Sequence, residues 1–137
     1  MTPCIHRQIE VPLKCGKTLI DEEIAPLVVW MDSFKSVVTF GSCQGNCRET
    51  SLVPMVHFQS NMNDLIRMMR FLKIWYYDEQ VTVEVGYNPV RPPSPPKVKY
   101  TLKFNNKDSF DKAMKLVSVQ GGHVLVGNNC GKTNNNY

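Results

Sequence analysis

The sequence has no apolar run approaching the roughly 20 residues that cross a bilayer, so no membrane-spanning helix is expected. Residues 1–12 lack the continuous apolar stretch of an export signal. The five cysteines, at positions 4, 15, 43, 47 and 130, are an odd number. Without a signal they read as reduced thiols, some serving as small buried hydrophobes, and the chain reads as cytoplasmic. Also missing is the first glycine of a phosphate-binding P-loop. "CGKT" occurs twice, at residues 15–18 and 130–133, but the P-loop register puts Val11 and Val126 where that glycine belongs. Both copies therefore read as turns. Cys43 and Cys47 lack a second close Cys/His pair, so even with His57 they do not complete a structural zinc site, and no metal is assigned.

What is present describes an ordinary globular chain. Its 137 residues fit one domain, and 42% hydrophobic against 20% charged residues suffices for a core. The net charge of +4 is unevenly spread: residues 1–40 carry four Lys/Arg and five Asp/Glu, and the rest carries the positive excess. That balance permits an anionic partner without requiring one.

Alternation predicts strands over 5–13, 18–20, 37–40, 52–58, 81–85 and 97–104. Ile24, Leu27, Val28 and Met31 have helical spacing behind an acidic lead-in, Asp21-Glu22-Glu23. Pro26 would break a helix begun at Asp21, so residues 21–25 read as a turn with Pro26 opening the helix proper. Asn61 or Asn63 caps a second helix to about Trp75, with Met62, Leu65, Ile66, Met69 and Leu72 inward. A third follows Asn105–Asp108. "NPVRPPSPP", residues 88–96, has five prolines and reads as a stiff loop joining a hairpin. Residues 127–137 read as a mobile tail. The result is a single α+β domain over 1–126: two layers, a mixed sheet and three helices.

The densest chemistry lies in "VTFGSCQGNCRET", residues 38–50. Gly41 and Gly45 allow a close-approach loop. Ser42, Gln44 and Asn46 add donors and Arg48 adds charge, a set suited to a phosphate or carboxylate. Cys43 with Arg48 and His57 is also a candidate thiol site. Lys97, Lys99 and Lys103 form a basic strand face for nucleic-acid phosphates, though few aromatics interleave with them to stack on bases.

Residues 16–45, "GKTLIDEEIAPLVVWMDSFKSVVTFGSCQG", resemble the N-terminal signature of the wybutosine-synthesising Tyw3 family. The matching positions are Asp21, Glu22, Ile24, Pro26, Leu27, Val28, Thr39, Ser42, Cys43 and Gly45. Gln44 stands where the family has a second loop serine. Small phage and large-virus proteins look similar over the same segment. The resemblance implies an α/β domain that sets the acidic helix start beside the Ser-Cys loop. It also implies methylation of a tRNA base with S-adenosylmethionine, and His57 stands near a family histidine.

Were strands 18–20 and 37–40 parallel neighbours, Asp21 and Ser42 would emerge at one sheet edge, where ligands gather in α/β folds. Carboxylates for ribose beside donors for phosphate suit a nucleotide-like ligand without any resident cofactor. The readings are thus a nucleotide-binding module, a Tyw3-like RNA-modifying enzyme, and a nucleic-acid or protein adaptor.

Overall fold

The computed structural model describes residues 6–45, 53–74, 80–88 and 97–119. The expectations for residues 89–96, for the tail and for Arg48 lie outside the described residues.

The first two strands, β1 (Gln8–Leu13) and β2 (Gly16–Asp21), form an antiparallel hairpin closed by Lys14-Cys15. Gly16 follows that turn with φ +121°, a conformation that glycine adopts without steric cost. Cys15 is disulfide-bonded, so the reading of all five cysteines as reduced thiols does not hold. Disulfides persist where the surroundings are oxidising.

Helix α1 (Ala25–Asp32) begins after a tight turn in which the Ile24 N–H donates to Asp21 O. Pro26 sits in its first turn, where a missing N–H costs nothing. Ile24 holds the N-cap position, with no side-chain cap bond. Ile24, Leu27, Val28 and Met31 are all buried, on the face their spacing requires. The helix packs against β1, against β3 (Val38–Cys43) and against α3 (Lys107–Val119).

The main sheet has the order β3-β4-β6-β5, with β4 at Met55–Gln59, β5 at Val81–Asn88 and β6 at Lys97–Phe104. Every ladder is antiparallel, where the sequence pattern suggests a mixed sheet. In particular, β2 and β3 share no ladder, so the parallel pairing expected of 18–20 and 37–40 does not form. The hairpin connection of β1 and β2 satisfies β2 on its other side. Val56, Phe58, Leu102 and Phe104 face the helices and form the core with Met31, Phe110 and Val117. The opposite face carries His57, Thr101, Lys99, Lys103 and Glu84, as the registers His57↔Thr101 and Glu84↔Thr101 require.

Three further features bear on the site. Strand β3 runs on through Gly41, Ser42 and Cys43, past a bulge between Thr39 and Gly41, so the loop starts at Gln44. Strand β6 is central, not an exposed edge, because β4 takes its second side. Thr101, on the same face as Lys99 and Lys103, is nevertheless buried beside His57.

Helix α2 (Met62–Phe71) is capped by Asn61, whose side chain accepts from Asp64 N–H at 2.8 Å. Its inward face is the expected one in part: Leu72 is buried and Leu65 and Met69 pack against the core, but Met62 and Ile66 are exposed while Asp64 and Met68 are buried. The cause is polar. The Ser36 hydroxyl and N–H both donate to Asp64 Oδ2, and the Ser36 hydroxyl accepts from Asn61 N–H. This network turns the Asp64 side of the helix inward. The helix ends at Phe71, short of Trp75, and Lys73 follows in the left-handed region at φ 57°.

Candidate functional site

The sequence motifs meet where β2 and β3 come together at Asp21 and Gln44. The Gln44 N–H donates to Asp21 Oδ2 at 3.1 Å, and its side-chain oxygen accepts from Glu23 N–H at 2.9 Å. The Gln44 amide nitrogen lies 3.0 Å from His6 Nδ1. Because Oε1 is committed to a backbone N–H, Nε2 is the group facing the ring, and it donates to Nδ1. Gln8, directly opposite Asp21 in the hairpin register, donates to Asp21 Oδ1 at 3.3 Å. The Gly45 N–H donates to Cys43 Sγ at 3.3 Å. Thus the acidic lead-in and the Ser-Cys loop do adjoin, through side-chain joints rather than a ladder.

Gln44 and Gly45 spend these N–H groups inside the protein, on Asp21 and Cys43. The donors left to a ligand lie one step back, on β3. Between β2 and β3 is a cavity of about 350 Å³. Asp21, Thr39 and Ser42 line it, with Val28 beneath and Leu19 and Phe40 alongside. Leu19 and Phe40 are large apolar side chains left exposed. No model of a protein family, no curated protein and no solved structure matches this chain. Its chemistry is therefore read from its own side chains.

The remaining candidate residues fall elsewhere. Glu22 pairs with Arg7 at 3.4 Å, and both are exposed, so it faces solvent beside the Asp21 joint. His57 lies on the sheet face away from the helices, with Nδ1 2.7 Å from Thr101 Oγ1. Burial pushes the His57 imidazole down, and the Lys99 and Lys103 ammonium groups add to this against the pull of Glu84. Lys103 is committed to Glu84 at 3.0 Å across the hairpin. The side chain of Lys97 is outside the described residues.

Gly45 is the glycine that the loop needs. It has φ +78°, and an added Cβ would lie 2.7 Å from the backbone nitrogen of Pro54. Gly45→Ala is expected to destabilise the protein by more than about 1 kcal/mol, since both strain and collision oppose it. Chemical denaturation of the two proteins measures this. Gly41, by contrast, has room for a Cβ, its nearest neighbour being His57 Cδ2 at 3.4 Å.

His6, Gln8, Leu19 and Phe40 are not among the candidate residues that the sequence singles out. A signal for two of them exists: a two-residue turn at Lys14-Cys15 pairs residue 8 with 21 and carries residue 6 past the hairpin's open end. Nothing in the sequence places that end beside Cys43.

Proposed function

We propose that the chain is a small binding module for a nucleotide or nucleotide-derived ligand, held in the cavity between β2 and β3. The observation that carries this reading is that Asp21, Thr39 and Ser42, from strands that do not pair, line one hollow. Its size lies at the small end of ligand pockets. Carboxylate and hydroxyls suit ribose, and the exposed Phe40 ring offers a stacking face for a base. Lys17, on the same lining, pairs with Glu10 at 3.8 Å across solvent. Such exposed pairs are worth little, so exchange for a phosphate costs little.

A thermal-shift screen tests the reading with adenosine, mono- and triphosphates, and S-adenosylmethionine, which shares the adenosine group. A ligand at a hundred times its Kd is expected to stabilise the fold by about 2.7 kcal/mol. Leu19→Glu alters an exposed residue at the cavity and adds a repelling charge there. It should abolish the shift for phosphorylated ligands while leaving the unliganded Tm nearly unchanged. No shift with any of these compounds, or an undiminished shift in Leu19→Glu, overturns the assignment.

A response to S-adenosylmethionine alone would favour the Tyw3-like enzyme over a passive module. Among the described residues, no helix is long and apolar enough to cross a membrane.

A further inference from the structure

We propose that His6, Asp21 and Cys43 form a binding site for a divalent cation of the zinc class. One ligand atom from each of the three lies within 4.8 Å of the others. They come from three separate places in the chain: the approach to β1, the end of β2 and the end of β3.

The second observation is the surroundings of Asp21. Its relative exposure is 7%, yet among the described residues no lysine or arginine pairs with it. Buried Asp32, by contrast, has Lys14, and the exposed Glu10, Glu22 and Glu84 all have cationic partners. Asp64, also buried, sits at the start of a helix, where the dipole favours a carboxylate. Among the described residues the donors to Asp21 are neutral, the Gln44 N–H and the Gln8 amide. These orient the carboxylate without neutralising it. Buried charges are as a rule paired or bound to metal.

The donor set selects the metal. Thiolate, imidazole and carboxylate together suit zinc or cobalt and not magnesium or calcium. Three protein ligands leave one position open. Asp21 also lines the cavity between β2 and β3, which puts the cation at the cavity's rim.

The surrounding bonds support the same assignment. The dipeptide Gln44-Gly45 holds two of the three ligands through backbone N–H groups, Asp21 at 3.1 Å and Cys43 at 3.3 Å. His6 Nδ1 accepts the Gln44 amide hydrogen, so a neutral side chain holds the imidazole beside the other two ligands. Metal bonds of about 2.0–2.3 Å set tetrahedral ligand atoms roughly 3.5 Å apart, so a trio already within 4.8 Å needs only small side-chain shifts to close on the ion.

Cobalt(II) titrated into the full chain, without thiol reductant, tests the site independently of any nucleotide. The expected result is a thiolate-to-cobalt charge-transfer absorption that saturates at an equimolar amount and is absent in Cys43→Ser. Asp21→Asn keeps an oxygen for the Gln44 N–H, and His6→Ala changes a residue ahead of the first strand. Each should weaken cobalt binding by more than the roughly 10–100-fold that loss of an outer-shell partner costs. Circular dichroism confirms that the variants are folded, and His6→Ala decides the matter if Asp21→Asn is not. No charge-transfer band in the wild type, or a band that persists in Cys43→Ser, overturns the proposal. Undiminished affinity in folded His6→Ala also overturns it, as the mark of a thiol acting alone.

Discussion

Lys14→Ala should destabilise the protein by about 3–5 kcal/mol, the cost of leaving a buried charge without its partner. The Lys14 side chain is 6% exposed and that of Asp32 is 10% exposed. Lys14 Nζ donates to the carbonyls of Asp32 at 2.6 Å and Phe34 at 2.9 Å, and lies 3.5 Å from Asp32 Oδ1. Its own N–H donates to Asp32 Oδ2 at 2.9 Å. One residue in the hairpin turn therefore closes the C-terminal end of α1, where a cation also suits the helix dipole.

Burial pushes the Lys14 ammonium below the ordinary lysine range, with Asp32 pulling the other way. In the fold, Lys14 releases its proton at a lower pH than in the unfolded chain. The unfolded state then binds more protons between the two values, so this group's contribution to stability rises with pH across that window. Removing only the lysine strands Asp32. Replacing both, as Lys14→Met with Asp32→Leu, should recover much of the loss, because apolar substitutes for a buried pair are often neutral. Urea midpoints of the single and double variants check both statements. A single variant within about 0.5 kcal/mol of wild type would show that solvent already screens the pair.

The second large effect is expected at Phe58→Ala, at about 3–5 kcal/mol. Phe58 is fully buried in β4, between β3 and β6. Its ring lies 5.6 Å from that of Tyr100, its partner in the register. Truncation leaves a void that flanking strands cannot close without breaking ladders. The melting temperature should fall by roughly 4 °C per kcal/mol for a domain of this size. Val85→Thr, at a residue 66% exposed, is the contrast, with a change expected within about 0.5 kcal/mol. A Phe58→Ala loss no larger than that of Val85→Thr would place the core elsewhere.

Much of the local structure was legible because its causes are local. Pro26 could only open a helix, Asn61 could cap one, and alternation over Lys97–Phe104 could only be a strand. The pairing of β5 with β6 followed from two alternating runs around a proline-rich connection. The inward face of α2 was legible only in part: Leu65, Met69 and Leu72 turn inward as their spacing requires, but Met62 and Ile66 do not. Its apolar pattern admits two rotations, and the Ser36–Asp64 bond between residues 28 apart chose one. Strand β3 was underestimated for a similar reason: Gly41, Ser42 and Cys43 extend only because Met55–His57 pair with them.

The residue order alone determined that an acidic turn precedes α1 and that a Ser-Cys-Gln-Gly bend follows the next strand, since caps, prolines and periodicity act within a few residues. Only the tertiary structure decided that these meet through Gln44, that His6 joins them, and that β2 stands apart from β3 around a cavity. Those contacts join residues 21–38 positions apart, and their energies depend on which buried polar groups find partners.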